Sequence, residues 1–324
     1  MGSPRPLGRS GTDTGGAPAP EPLPQRLPPA VRDRRRRLAG IGLMCGALIC
    51  FSLLDATAKW LNRDMDPLLA VWWRYASSVV LVSLVINPWS YPGVLKTQRP
   101  WLQAGRSLLL FLSTALNFVA LQYLQLAETM SIMFATPLLV ALLAGPILGE
   151  RAGPRRLAAI GIGFLGVLMI TRPGLGTMHP AGLLSVAGTL SYAFYSICTR
   201  MLAAHDSSST TMVYSGLAGV VLMSPLLPFL WSTPTSPLVW LLLAALGVFG
   251  AVGHWLLILA HARAPAPVLS PFIYTQIVWM LALGYILFGD WPDAWTLVGS
   301  AVVIASGLYL LYRERVRQAQ REAG

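Results

Sequence analysis

A repeat of about 140 residues constrains the fold of this chain more than any other feature of its sequence. The segment AETMSIMFATPLLVALLAGPILGE, residues 127–150, returns in looser form as VLSPFIYTQIVWMLALGYILFGD. At this offset Phe134 corresponds to Tyr274, and further pairs keep the same offset without a gap. The chain is therefore one unit used twice. We place the two units at residues 38–174 and 175–312.

The composition points to a membrane rather than to water as the solvent. Of the 324 residues 55% are hydrophobic and only 11% are charged, whereas a soluble domain has roughly a quarter of charged residues. The net charge of +11 alone would suggest nucleic acid as a partner. However, eight of the 24 Lys and Arg residues precede residue 38, and most others lie between apolar blocks. Basic residues in these places flank membrane spans and do not form a nucleic-acid surface.

Apolar runs, each close to the roughly 20 residues that cross a bilayer core, predict ten transmembrane helices. They lie at about 38–60, 67–86, 102–125, 129–148, 155–171, 181–200, 211–230, 238–260, 267–288 and 294–312. Helices are expected because in lipid only a helix or a closed β-barrel forms all hydrogen bonds of its backbone. These runs lack the alternation of apolar and polar residues that is typical of a barrel. The predicted fold class is an all-α membrane protein. Residues 1–37 are expected to be a disordered cytoplasmic tail, and residues 313–324 a basic cytoplasmic tail.

The basic residues also predict the orientation. They are concentrated in the two tails and in the even-numbered connections, so both termini are expected in the cytoplasm. Each unit then has five helices, and an odd number of crossings makes the second unit enter the membrane from the opposite side. Inverted repeats are typical of secondary transporters, which bind their substrate at the interface between the repeats.

Four segments carry a resemblance to a known family. They are AETMSIMFATPLLVALLAGPILGER and GIGFLGVLMITRPG in the first half, and APAPVLSPFIYTQIVWMLALGYILFGD and GSAVVIASGLYLLYRER in the second. Over about residues 38–312 the chain resembles the drug/metabolite transporter superfamily, in its branch of two EamA-type repeats. The resemblance implies transport of amino acids or other small organic metabolites, some relatives being similar to riboflavin or S-adenosylmethionine carriers. It also implies a substrate cavity among helices 1, 3, 4, 6, 8 and 9. Ile277 replaces Pro137 in the second copy, so we expect any kink of helix 4 to lack a symmetry mate.

Asp55, Lys59 and Arg74 are charged residues within predicted spans. A charge there costs about 2.5–3.5 kcal/mol unless it is paired, is hydrated or serves a function. Asp55 and Lys59 are spaced i, i+4 on helix 1 and share a face. Arg74 lies at a similar depth on helix 2. A triad of these residues could attract an anionic group of a substrate. The alternative is a structural clamp near the outer surface.

Further polar side chains are candidates for the substrate or ion pathway. Asn117 lies on helix 3, and Glu128 opens helix 4, where it either caps the helix or binds protons or substrate at an outer gate. His254 lies deep in helix 8, either as a satisfied hydrogen-bond partner or as a proton relay. Glu150 and Asp290 end helices 4 and 9 and are interpreted as structural, through capping or pairing with loop arginines.

A polar break at the centre of the repeat suggests the cavity itself. Tyr274 and Gln276 on helix 9 lie opposite the region of Thr136 on helix 4, and Tyr192 and Tyr195 on helix 6 could face the same space. An apolar cavity with few polar anchors is typical of a small-molecule site. The alternative is that these side chains only pack.

Other sites are not expected. The segment Gly161-Ile-Gly163-Phe-Leu-Gly166 matches a dinucleotide-binding pattern, but it lies within a span and no strand precedes it, so we interpret it as helix packing. The sequence has no metal-ligand spacing, no nucleophile elbow and no phosphate loop. We therefore expect neither a metal nor a cofactor.

The favoured interpretation is a secondary active transporter that moves a small organic metabolite, such as an amino acid, a vitamin-like solute or a drug-like solute, by alternating access. A channel-like pore and a membrane-embedded lipid-processing enzyme are the alternatives. The expected partners are the small-molecule substrate and the lipid bilayer, without nucleic acid; coupling to protons or exchange, and a homodimer, stay open. The expected location is the inner membrane of a bacterium.

Overall fold

The computed structural model describes residues 29–85, 92–148, 153–172, 179–202, 205–234 and 236–323. Over these residues the chain is helical, without a β-strand. Its α-helices are α1 Pro29–Leu61, α2 Pro67–Val85, α3 Pro100–Leu121, α4 Leu126–Met133, α5 Thr136–Leu148, α6 Pro154–Thr171, α7 Ala181–Leu202, α8 Ser208–Met223, α9 Leu227–Leu230, α10 Pro237–Arg263, α11 Ala266–Leu269, α12 Gln276–Leu283 and α13 Ala294–Ala323. Short 3₁₀ turns occur at Pro92–Leu95, Ser224–Leu226 and Ser270–Thr275, and a π turn at Gly284–Phe288.

The described part of the chain contains ten helical segments that are long and apolar enough to cross a membrane, as predicted. The fourth span combines α4 and α5, and the ninth runs over Ser270–Phe288. The first helix, α1, begins at Pro29, within the segment predicted as the first tail; residues 1–28 and Glu150 lie outside the described residues. At the other end α13 continues through the predicted basic tail as far as Ala323.

Prolines begin several of the spans. Pro100 and Pro154 occupy the first position of α3 and α6, and Pro237 that of α10. The N–H groups in the first turn of a helix have no intrahelical partner, so a proline there costs no hydrogen bond. The fixed φ of proline also matches that of a helix. Proline thus sets the position at which these helices start.

The α-helical bonding of the fourth and ninth spans is interrupted at equivalent places. In the fourth span α4 ends at Met133 and α5, which carries Pro137 in its first turn, begins at Thr136. In the ninth span a 3₁₀ turn gives way to α12 at Gln276, the residue equivalent to Thr136. The expectation that this break lacks a symmetry mate is wrong. The second break forms although Ile277 stands where the first copy has proline.

Helix pairing follows the two-fold relation of the two repeats. The first span, α1, packs on the eighth, α10, and the equivalent pair of the third span, α3, and the sixth, α7, also packs together. The fifth and tenth spans, α6 and α13, pack on each other, and a Cβ added to either Gly166 or Gly299 would approach the carbonyl oxygen of the other within 2.8 Å. The interpretation of the glycine motif in α6 as helix packing is thereby supported. The inverted five-helix repeats are thus visible in the packing.

The connectivity gives the two sides of the helix layer. We term the side on which α1 begins the proximal side, and the other the distal side. The loop before α3 and the turn between α7 and α8 are proximal. The turns after α1, after α3 and before α13 are distal.

Candidate functional site

A cavity of about 780 Å³ opens between the two repeats in the proximal half of the helix layer. Its walls come from α2 and α3 of the first repeat and from α7, α8 and α10 of the second. The cavity begins near Arg74 and His254, midway along their helices, and reaches Leu95 and Asp206 at the level of the proximal loops. A volume of this size suits a small organic ligand.

The helices that line the cavity differ in part from those that the family resemblance implied. The third, sixth and eighth spans contribute as expected. The second and seventh spans line the cavity as well, whereas no described residue of the first, fourth or ninth span does. Those three spans are packed into a hydrophobic core around Phe118, Leu121 and Phe134, which closes the distal half of the interface.

Arg106 is the charged residue at the centre of the proximal wall. It is 3% exposed and lines the cavity from α3. Its Nε donates to Thr199 Oγ1 at 2.8 Å, and its Nη2 donates to Tyr195 Oη at 3.1 Å, with the guanidinium carbon 4.7 Å from the Tyr195 ring. Its Nη1 donates to Ser215 Oγ at 2.9 Å and to the Thr211 carbonyl at 3.2 Å. The guanidinium thus joins α3, α7 and α8 through neutral acceptors.

Sequence reasoning missed Arg106. The signal was present, because this arginine lies in the apolar run predicted at 102–125, and charges within spans had been treated as candidates elsewhere. Arg106 lies only four residues after the predicted start of the run, and in the sequence it therefore resembles a flanking loop residue. In the structure α3 begins at Pro100, which moves Arg106 into the second turn of the helix.

Arg74 lies on α2 at the inner end of the same cavity. Its Nη1 donates to Thr114 Oγ1 at 3.3 Å, and its guanidinium carbon lies 4.8 Å from the Tyr75 ring. Its Nε is buried and has no hydrogen-bond partner among the described residues. Arg74 is also within electrostatic range of Asp55, whose Oδ1 accepts a hydrogen bond from Asn117 Nδ2 at 3.2 Å. Two of the predicted charges and the predicted asparagine are therefore neighbours.

The predicted triad does not form, because Lys59 turns away from Asp55. Its Nζ lies 2.9 Å from Asp290 Oδ2 and donates to the Leu124 carbonyl at 2.7 Å. These contacts tie the distal end of α1 to the distal ends of the third and ninth spans. For Asp290 we expected a structural role, through capping or through pairing with a loop arginine; in the structure its partner is Lys59 of the first span.

Aromatic rings cover this ion pair. The Phe288 ring centroid lies 5.2 Å from Lys59 Nζ, and Arg63 lies over both Phe288, at 5.0 Å, and Trp60, at 4.8 Å. The side chains of Lys59 and Asp290 are only 16% and 26% exposed. The interface between the repeats is thus open on the proximal side and closed on the distal side.

A second distal ion pair lies within the α6–α13 pair. Arg172 Nη2 is 2.6 Å from Asp293 Oδ2, and the backbone N–H of Thr296 donates to Asp293 Oδ1 at 2.8 Å. Partial burial opposes ionisation of Asp293, but the bonds from Thr296 and the charge of Arg172 outweigh it and lower the pKa of Asp293 below its usual value. Asp293 therefore caps α13 as a carboxylate.

Glu128 takes the structural role that was one of its two alternatives. It forms a capping box at the start of α4, in which the backbone N–H of Gln125 donates to Glu128 Oε2 at 3.3 Å. The glutamate lies on the distal side, away from the proximal cavity. A carboxylate at this place also complements the dipole of α4.

The predicted central residues divide between cavity and packing. Tyr195 lines the cavity, while Tyr192 packs beside it with ring centroids 5.3 Å apart. Tyr274 is buried edge-on against the Phe134 ring at 5.0 Å. In this conformation Thr136 of the fourth span does not line the cavity, and neither do Tyr274 and Gln276 of the ninth span.

His254 lines the cavity from α10, at the depth of Arg74. Its ring stands edge-on to Phe51 of α1, with ring centroids 5.1 Å apart. The nearby Gly253 lets α10 approach α1 so closely that a Cβ there would lie 2.7 Å from the Phe51 ring. The glycine spacing of this helix thus serves packing, as expected, and the histidine is brought to the cavity wall.

Comparison with known proteins agrees with this architecture. The sequence profile of the EamA-like transporter family matches residues 38–172 and again residues 179–313. A crystal structure of a protein that is 18% identical superposes with a TM-score of 0.59, over 88% of this chain and 99% of that one. At that identity the likeness concerns the fold alone.

Similar proteins of named function cover nearly the whole chain. The S-adenosylmethionine uptake transporter of Rickettsia bellii is 27% identical over 285 residues, which are 87% of this chain and 96% of that protein. The riboflavin transporter of Vibrio cholerae is 26% identical over 88% of this chain and 96% of its own length. The riboflavin transporter of Rhizobium johnstonii is 28% identical over 87% and 94%.

Proposed function

Because the chain belongs to the EamA-like transporter family, and is thus a transporter of small metabolites rather than an enzyme, we propose that it is a secondary active carrier that works by alternating access. The observation that carries this proposal is the asymmetry of the repeat interface. A cavity of about 780 Å³ opens on the proximal side, and the Lys59–Asp290 pair closes the distal side. If the inverted repeats rock about a central site, the proximal side would close as the distal side opens.

The transported solute, in this proposal, is a small organic metabolite with a heterocyclic body. Relatives named as S-adenosylmethionine and riboflavin transporters support this class. The cavity wall suits it as well, because apolar side chains such as Val79, Leu110 and Met212 surround a few polar groups. Apolar walls with sparse polar anchors bind organic ligands and fix their orientation.

The proposed location is the cytoplasmic membrane of a bacterium, with the proximal side in the cytoplasm. Basic residues are concentrated in the two tails and the proximal connections, and such residues favour the cytoplasmic side. In this orientation the structure corresponds to an inward-open carrier. His254, at the inner end of the cavity, is the group that would take part if transport is coupled to protons.

Reconstitution tests the proposal. The purified chain is incorporated into liposomes that are loaded with unlabelled solute, and uptake of radiolabelled riboflavin, S-adenosylmethionine and a panel of amino acids is followed. A carrier should show saturable uptake that internal solute accelerates, whereas a pore should show neither. If none of the solutes gave saturable, trans-stimulated uptake, the carrier proposal would fail. Repeating the assay with an imposed pH gradient measures coupling to protons.

A further inference from the structure

We propose that Arg106 and Arg74 form an anion-binding wall of the cavity, which takes the carboxylate or phosphate group of an organic anion. This inference rests on the proposed function, because it assigns a chemical class to the solute of the same cavity. It starts from a charge that the fold leaves without a counter-charge. Arg106 is 3% exposed, yet neither it nor Arg74 forms an ion pair with any residue in the described ranges.

The partners of Arg106 are all neutral. They are hydroxyl groups, an amide oxygen and a backbone carbonyl, contributed by Gln103, Tyr195, Thr199, Thr211 and Ser215. These groups fix the guanidinium in one orientation but leave its positive charge uncompensated. A buried charge is unfavourable unless it is paired, and a guanidinium fork matches the oxygens of a carboxylate or phosphate. An anionic group in the cavity would supply the missing partner.

Arg74 adds a second, independent observation. Its buried Nε has no hydrogen-bond partner among the described residues, although the neighbouring Nη1 is bonded to Thr114. Thr114 lies two turns beyond Arg106 on α3, and both residues lie on one face of the helix, about 12 Å apart along its axis. The two cations therefore stand on one wall, Arg106 nearer the proximal mouth and Arg74 nearer the centre of the layer.

The carboxylates around the cavity are held in place by neutral hydrogen-bond donors. Asp206 lies at the mouth, where its Oδ1 accepts from the backbone N–H of Gln98 at 2.9 Å and its Oδ2 accepts from Thr97 and from Gln103 Nε2. Gln103 in turn accepts from Arg106, so an amide separates the two charges. Asp55, which acts on Arg74, is held by Asn117 and does not line the cavity. Among the described residues that line the cavity there are thus two arginines and one aspartate, so the lining has a net positive charge.

The apolar side chains determine what kind of anion fits. Val79, Leu110, Met212 and Leu257 face the same space as the two arginines. An inorganic anion would leave these walls in contact with water. An organic anion would bury its body against them while its charged group contacts the guanidinium groups.

The test compares probes that differ in one charged group. N-acetyltryptophan is paired with its neutral amide, and flavin mononucleotide with neutral riboflavin. Binding to the purified full-length protein in detergent is measured by thermal stabilisation and equilibrium dialysis. In at least one pair the anion should bind about tenfold tighter or more than its neutral partner. A preference for N-acetyltryptophan over its amide would indicate a carboxylate site, and a preference for flavin mononucleotide over riboflavin a phosphate site.

Variants then assign the preference to the wall. Arg106→Gln and Arg74→Gln should each abolish most of it, and Arg106→Lys, which keeps the charge but loses the fork, should retain only part. Arg263→Gln is the matched control, because Arg263 lies exposed at the end of α10, outside the cavity. If Arg106→Gln does not fold, Arg106→Lys and Arg74→Gln still carry the test.

The outcomes separate this inference from the proposed function. Equal binding of anion and neutral partner in both pairs, or absence of binding by both anions, would overturn the inference even if the protein transports other solutes. A preference that persists in the arginine variants would overturn it as well. Conversely, anion binding that needs the two arginines, without trans-stimulated uptake in liposomes, would sustain the inference and refute the carrier.

Discussion

Removing the ion pair between Lys59 and Asp290 should shift the protein toward a conformation that is open on the distal side. The pair joins the distal end of the first span to that of the ninth, and Lys59 also donates to the Leu124 carbonyl. Opening the distal side would separate these helix ends and break the contacts. Lys59→Met and Asp290→Asn each delete the pair while they keep most of the side-chain volume.

The exposure of the two side chains sets the expected size of the effect. Fully exposed ion pairs contribute about 0–1 kcal/mol, whereas breaking a buried pair costs about 3–5 kcal/mol. Lys59 and Asp290 are 16% and 26% exposed, and so lie between these limits. We expect about 1–2 kcal/mol, which changes the ratio of the two conformations by roughly 5–30-fold.

Distances between spin labels on the distal side measure this ratio. Tyr123 follows α3 in the first repeat and Trp291 precedes α13 in the second. They are 55% and 65% exposed, so both can be replaced by labelled cysteines. The three native cysteines are removed first. Double electron–electron resonance should then show a longer-distance population that grows in Lys59→Met and in Asp290→Asn.

A double variant and a control variant test whether the Lys59–Asp290 pair holds the distal side closed. If the two residues act only through each other, combining Lys59→Met with Asp290→Asn should add little to either single change. Asp293→Asn removes a second distal ion pair of the described residues, which joins α6 to α13 and does not join the first span to the ninth; it should leave the distances unchanged. Unaltered distances in both single variants, or strictly additive effects in the double variant, would show that this pair does not hold the distal side closed.

The remaining predictions concern the cavity and its support. Asp55→Asn and His254→Ala should reduce uptake by proteoliposomes without loss of the monodisperse folded protein. The first changes the carboxyl group that bonds to Asn117 next to Arg74, and the second removes a side chain that lines the cavity. Normal uptake by both variants would exclude these residues from the pathway. Gly307→Ala should destabilise the protein by about 1–3 kcal/mol, since its new Cβ would overlap the Tyr274 hydroxyl. Thermal melting should show this loss, while Gly42→Ala, which has open space around it, should melt as the unaltered protein does.

Side chains that line the cavity could be predicted only in part. Arg74, Tyr195 and His254 were identified from their polarity within apolar runs, and all three lie on the wall. Thr136 and Tyr274, chosen by the same criterion, do not line the cavity. Thr136 donates to the Met133 carbonyl of its own span, and Tyr274 packs against Phe134. Polarity within a span indicates that a side chain avoids lipid. It does not tell whether the side chain faces a cavity or a neighbouring helix.

The sequence by itself determined the membrane class, the ten spans and the two inverted repeats. The reason is that the length of an apolar run is matched to the bilayer locally, and a repeat of about 140 residues with five crossings has to invert. These properties need no knowledge of which helices touch.

Only the tertiary structure decided the partner of Lys59, the role of Arg106 and the set of helices around the cavity. Each depends on which faces of distant helices meet, and close packing between glycine-rich surfaces such as those of Gly166 and Gly299 sets that arrangement. An i, i+4 spacing brought Lys59 near Asp55 on one helix. In the folded protein the distal end of the ninth span lies next to Lys59, which pairs with Asp290 of that span and not with Asp55 of its own helix.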